Sequence, residues 1–205
     1  INEANMTQPT IDPITIEVMR IGFYSIADEM IAALVRSSYS TNIKDRRDTS
    51  GAMYTGGGDV VVVAQSEIGT PLHLGTMHSA VLSAMDQYPF EELEPGDAVA
   101  LNTPYPAGPG HLNDLCLISP IFFNDQLIAI TANQAHHVDM GGFAPGSMPF
   151  GVSEIFQEGL QIPPVRLFRN GELDRDLWNM IAQNVRPPKE VRGEHLATFP
   201  AHHIP

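Results

Sequence analysis

Cysteine is almost missing from this chain: Cys116 is the only one, so an intrachain disulfide and a cysteine-based zinc cluster are both excluded. Basic residues are scarce as well. Eleven Lys and Arg stand against 24 Asp and Glu, a formal charge of −13, and such a field repels nucleic acid and anionic membrane surfaces. No apolar run is long enough to span a bilayer, and the polar start lacks the basic stretch followed by an apolar run of a leader. A soluble, cytoplasmic protein without nucleic-acid or membrane partners is expected. No phosphate loop is present either, because the glycine run from Thr55 to Asp59 has no Lys-Ser or Lys-Thr after it and sits between two strand-like segments. Low-complexity tracts and internal repeats are lacking.

What remains is enough for a packed domain: 205 residues, 43% of them hydrophobic. Asp12-Pro13 is a good helix opening, and Ile16, Met19, Phe23, Ile26, Met30 and Leu34 recur at three- and four-residue spacing, which predicts a core-facing helix to about Ser37. From Gly51 the pattern predicts a β-hairpin, with the Thr55 to Asp59 turn between its strands and the Val60 to Val63 run buried. A helix over Thr76 to Gln87, a turn at Glu94 to Asp97 and a strand from Ala98 to Asn102 follow. Leu115 to Phe123 and Gln126 to Asn133 read as strands joined by Asn124-Asp125, a favourable tight turn. Further on, a short helix is expected within Val152 to Gly159 and another over Asp174 to Gln183. The fold class is α+β, with mixed helices, a largely antiparallel sheet, and Gly- and Pro-rich loops at Thr103 to His111 and His136 to Pro149 positioned to carry function.

The chemistry concentrates in His111-Leu-Asn-Asp114 and His136-His137-Val-Asp139, because imidazole and carboxylate are the usual ligands of zinc, manganese or iron. If the Asn124-Asp125 turn pairs the two strands, antiparallel geometry returns His136 to the end where His111 and Asp114 lie. Asp48, in Lys44-Asp-Arg-Arg-Asp48, offers a fourth ligand. Consecutive residues of an extended segment point to opposite sides, so only one of His136 and His137 joins a shared site and the other is free for acid-base chemistry. Asp139 either holds a ligating imidazole or caps the Gly141-Gly142 turn. His73 and His78, at the entry to a helix, line a pocket or serve that entry structurally. Histidines beside glycine-rich loops also commonly hydrogen-bond backbone groups with no metal present. Cys116, within an apolar strand, reads as a small hydrophobe.

Several blocks together resemble the hydantoinase B and 5-oxoprolinase family: Asp45-Arg-Arg-Asp-Thr-Ser-Gly-Ala52, Pro71-Leu-His-Leu-Gly-Thr-Met77, Pro95-Gly-Asp97, Asn102-Thr-Pro-Tyr105, Ala135-His-His-Val-Asp-Met-Gly-Gly142, Pro145-Gly-Ser-Met-Pro149, Glu158-Gly-Leu-Gln-Ile-Pro-Pro164 and Asn184-Val-Arg-Pro-Pro188. They stand in the family's order. The resemblance implies a hydantoinase B-like domain over residues 12–196, the N-terminal portion of a B-type subunit, with a disordered or extended segment at 1–11 and a divergent tail at 197–205. It implies Asp48, His111, Asp114 and His136 as metal ligands; beside them His137 is the candidate base, Asp139 a second candidate catalytic residue, and His73 and His78 are candidates for substrate contact. Water activated by a divalent metal (Zn, Mn or Fe) would attack a cyclic amide such as a hydantoin, 5-oxoproline or a lactam after its phosphorylation. ATP and Mg would bind an A-type partner subunit in a hetero-oligomer.

Members commonly carry Asp where Thr103 stands, Pro at Asn113 and Phe at Thr49, departures that leave the ligand positions intact. Family B subunits are more than twice this length, so a truncated or processed form is expected, active only beside a partner. Two other functions remain open: a subunit of an ATP-dependent ketone carboxylase, and a truncated noncatalytic assembly subunit.

Overall fold

The computed structural model describes residues 11–199; the segment expected at 1–11 lies outside them except for Ile11, as does the tail beyond Phe199. Asp12 caps the first helix, α1 (Pro13–Ser37), by accepting from the amides of Ile14 and Thr15. A single turn, α2 (Thr41–Lys44), leads into strand β1 (Thr49–Thr55), whose hairpin partner is β2 (Val62–Gln65). The Val60 to Val63 run is not buried as expected: β2 is the edge of the sheet, and Val61 and Val62 face solvent. A 3-10 turn (Pro71–His73) starts helix α3 (Leu74–Gln87), and strand β3 (Ala98–Leu101) follows.

The long hairpin β4 (Asp114–Phe123) and β5 (Gln126–His136) forms as the sequence predicts. Asn124 and Asp125 both take positive φ, 50° and 61°, the conformation that a two-residue turn needs to match the twist of its strands. Between Ile121 and Phe122 the pairing shifts by one residue, because β5 carries a bulge at Ile128. The short helix expected within Val152 to Gly159 is only a 3-10 turn, Ile155–Gln157. Strands β6 (Val165–Arg169) and β7 (Glu172–Leu173), then helices α4 (Arg175–Asn184) and α5 (Pro188–Thr198), complete the described chain.

The seven strands form one antiparallel sheet in the order β2-β1-β5-β4-β3-β6-β7. Alternate residues of its central strands point to opposite faces. Ala52, Leu101, Cys116, Ile118 and Ala132 pack beneath Met77, Val81 and Ala84 of α3. Ala100, Leu115 and Leu117 pack on the other face with Ile181 of α4 and Val191 of α5, while Ala135 meets Met30, Ile31 and Leu34 of α1. The α+β class holds. The expected apolar stripe of α1 is buried only at its C-terminal end, in Met30 and Leu34; Ile16, Met19 and Ile26 are exposed. None of the described helices is long and apolar enough to cross a membrane.

Candidate metal centre

Three strand ends meet under the start of α3. Asp114 and His136 are register partners across β4 and β5, and Asp48 stands directly before β1, where its carbonyl accepts from the His136 amide at 3.0 Å. All three side chains have the sequence parity of the α3-facing residues, so they project to the same side of the sheet. His73, ending the 3-10 turn capped by Thr70, comes down from the helix layer. His111 precedes β4 in a tight turn, closed by the bond from Asp114 N to His111 O at 3.0 Å.

The distances are short throughout. Asp114 Oδ1 lies 3.1 Å from His111 Nε2 and 3.3 Å from His136 Nδ1, and Asp114 Oδ2 lies 3.5 Å from His73 Nε2. Asp48 reaches the same group, 3.5 Å from His73 Nε2 and 3.9 Å from His136 Nδ1. His111, Asp114 and His136 can each offer one ligand atom, all within 4.8 Å of one another. Asp114 Oδ1 is buried and receives no well-aligned hydrogen bond, despite the two imidazole nitrogens close by. The nitrogen and carboxylate donor set, converging at these distances, suits zinc, manganese or iron. The residues present therefore fit a divalent metal.

Electrostatics follow from this crowding. Burial pushes the Asp114 carboxyl up, but the nearby His111, His136 and His73 outweigh it and hold its pKa well below the usual carboxylate range. His111 moves the other way from His73. Its contact with Asp114 raises its pKa against partial burial, with Glu158 and Asp48 adding to the effect, whereas deeper burial lowers that of His73 despite the two carboxylates beside it.

Not every expected residue joins the cluster. His137 is fully buried on the opposite face of the sheet, with Nδ1 3.1 Å from Glu194 Oε2 of α5 and its ring against His195. The expected base is thus turned away from Asp114, and its carboxylate neighbour is Glu194. Asp139 is committed to the backbone and Arg186: it accepts from the amides of Gly141, Gly146 and Arg186 and from Arg186 Nη1, at 2.8 to 3.2 Å. Of the two alternatives for it, the geometry shows the cap on the glycine turn. His78 lies a turn into α3 with its ring 5.8 Å from that of Tyr54, and it makes no contact with the clustered side chains among the described residues.

Two asparagines that sequence reading passed over hold the loops in place. Asn102 donates to the carbonyls of Leu112 and Leu160 and accepts from Ile162 N. Asn113, at a position where proline is common in the resembled family, donates to the carbonyls of His137 and Gly146. Their signal was faint: a buried amide at a strand end looks like any loop asparagine until its partners are known. Glu158, whose charge acts on His111, was missed for the same reason.

An uncharacterized protein of Methanocaldococcus jannaschii is 45% identical over 185 residues, which is 89% of this chain and 32% of that protein. The caprolactamase subunit beta of Pseudomonas jessenii is 30% identical over 192 residues, 94% of this chain and 32% of that subunit. The crystal structure of the ATP-dependent caprolactamase from Pseudomonas jessenii superposes with a TM-score of 0.82 at 29% identity, over 94% of this chain and 32% of that one. The chain thus spans about a third of the length of these relatives. The family model for hydantoinase B/oxoprolinase matches residues 12–204, nearly the whole sequence, and the chain belongs to that family.

Proposed function

We propose that this chain supplies the divalent-metal pocket of an ATP-dependent hydrolase that opens a cyclic amide: a hydantoin, 5-oxoproline or a lactam. The observation that carries this reading is the convergence of Asp48, His73, His111, Asp114 and His136 from four separate segments onto one pocket. A bound divalent ion supplies Lewis acidity there and lowers the pKa of a water molecule. The ligand set is Asp48, His111, Asp114 and His136. Asp114 remains ionised and fixes the rings of His111 and His136 on either side of one oxygen. His73, whose pKa burial lowers, spans the two carboxylates with Nε2 3.5 Å from an oxygen of each and holds them in place. His111 and Asp48 are the two partly exposed members, so substrate enters on their side.

The phosphoryl step is assigned to an A-type subunit or domain outside these 205 residues. This sequence has no phosphate loop, and the caprolactamase relative is itself named as a subunit. An A-type, ATP-binding partner in a cytoplasmic hetero-oligomer completes the enzyme. The test is coupled phosphate release with a cognate A-type subunit, ATP and each ring substrate in turn. Substrate-dependent turnover is expected, with loss on chelation and in Asp114→Asn, and recovery of the wild type when zinc or manganese is returned. Turnover that persists in Asp114→Asn would remove the site assignment; protein that takes up no metal would remove the reading altogether.

A further inference from the structure

The strand pairing that builds the metal centre also places a polar residue directly behind it. Asp48, His136 and Asp114 form one rung across β1, β5 and β4, and two residues further into the sheet, on the same face, stand Ser50, Gln134 and Cys116. On the next rung the face is apolar, with Ala52, Ala132 and Ile118 packed under α3.

Gln134 is fully buried. An amide in such a place is unfavourable unless it is bonded, and Gln134 donates from Nε2 to Asp114 Oδ2 at 3.5 Å. The sheet explains the reach. Asp114 and Gln134 are diagonal neighbours across the β4–β5 pair, and diagonal positions lie roughly 7–8 Å apart, a span within range of long side chains only. The orientation of the amide follows too, because a carboxylate only accepts and the NH2 group is the donor end. Thr49, next to Asp48, pins the strand itself by donating from Oγ1 to the Gln134 carbonyl at 3.0 Å.

The two oxygens of Asp114 therefore have different surroundings. Oδ1 faces the ring nitrogens of His111 and His136, at 3.1 and 3.3 Å, whereas Oδ2 faces His73 and Gln134, each at 3.5 Å. We propose that Gln134 is a positioning residue of the metal centre: its amide engages Oδ2 from inside the sheet and so leaves Oδ1 turned toward the ion. This role rests on Asp114 being a metal ligand, as proposed above. His73 approaches the same oxygen from the helix side but also reaches Asp48, so it spans two carboxylates, while the Gln134 amide serves Asp114. Ligating carboxylates are held by hydrogen bonds from groups that do not touch the metal, and losing such a group lowers metal affinity roughly 10–100-fold.

Cobalt(II) added to the chelator-treated chain tests this in two ways. Competition with a chelating dye gives the affinity, and the visible absorption bands report the arrangement of ligands around cobalt. Gln134→Met keeps the side-chain length and suits the apolar rung behind it, so the variant should stay folded by circular dichroism. Its cobalt affinity should fall about 10–100-fold, and its bands should change. Gln134→Asn, which retains the amide but falls short of Asp114, should do the same. Cys116→Ala, which alters the neighbour on the same rung and leaves the amide in place, should change neither reading. Wild-type affinity and bands in a folded Gln134→Met or Gln134→Asn protein would overturn the proposal and leave the metal centre standing. An equal loss in Cys116→Ala would overturn it as well, since any repacking of the rung would then suffice. A wild-type chain that takes up no cobalt would instead overturn the metal centre, and this role with it.

Discussion

Asp114 and His136 are direct partners across the β4–β5 hairpin, and His136 Nδ1 lies 3.3 Å from Asp114 Oδ1. A carboxylate with two imidazole nitrogens converging on one oxygen gathers three ligating groups of a kind that divalent metals use. Asp114→Ala should therefore abolish stoichiometric metal while leaving the hairpin folded, since the strand pairing uses backbone atoms. Elemental analysis against circular dichroism separates the two effects. Retained metal in a folded Asp114→Ala protein would contradict the assignment.

His73 touches both carboxylates but stands outside the tightest trio. Residues that hold ligands in place typically cost 10–100-fold in metal affinity when removed, roughly the loss expected for His73→Gln. Competition against a chelating dye measures it. A loss as complete as that of Asp114→Ala would make His73 a ligand in its own right.

Protons should compete with the metal. Contact with Asp114 raises the pKa of His111, so this ring keeps its proton to higher pH than a free histidine, and only the neutral ring can ligate. Metal affinity should weaken as pH falls toward and below the ordinary histidine range near ~6.5. Calorimetric titration at several pH values checks the direction; affinity that rises with acid would contradict it.

On the far face, Glu194 is fully buried, 3.1 Å from His137 Nδ1 and 3.3 Å from the amide of Val138. Removing one member of such a pair strands the other, at a typical cost of about 3–5 kcal/mol. Glu194→Ala should lose stability of that order in urea unfolding. Because His137 adjoins His136, metal retention should fall too. A change below about 1 kcal/mol would show that the pair is replaceable.

Asp139 gives a different pH signature. Burial raises its pKa, but the amides of Gly146, Gly141 and Arg186 and the Arg186 side chain outweigh this and lower it. A carboxyl depressed in the folded state stabilises fully above its unfolded value near ~3.9, and that contribution is lost as pH falls through the folded value. Asp139→Ala should thus destabilise by about 3 kcal/mol at neutral pH, given several charge-assisted bonds lost. The gap from wild type should close only below pH ~4. A gap that is unchanged in acid would mean that packing, and not charge, holds this turn.

Much of this arrangement was legible beforehand. Asn124-Asp125 announces its turn because few residue pairs tolerate two positive φ values, and the apolar runs on either side announce the strands. Asp12-Pro13 did the same for α1. Other parts depend on partners far along the chain. Glu194 and His195 lie in α5, a helix of low apolar content whose burial comes from its packing against α1 and α4, so neither its existence nor its grip on His137 was visible. The α1 stripe looked like a core face since periodicity records which residues align, not whether anything lies opposite. His73 becomes a neighbour of Asp114 only through the stacking of α3 on the sheet, and Asp48 only through the pairing of β1 with β5.

The bulge at Ile128 has the widest reach of these details. Were Ile128 drawn into the regular pairing instead of bulging out, the turn at Asn124-Asp125 would set Asp114 opposite Ala135, and His136 and His137 would exchange sides of the sheet. One added backbone unit at the remote tip thus acts as a phase shift for everything downstream of it in β5. Pairing is guarded more strictly there than side-chain identity: substitutions at the tip that keep the bulge should be forgiven, whereas a strand that paired every residue would turn the wrong imidazole toward Asp114.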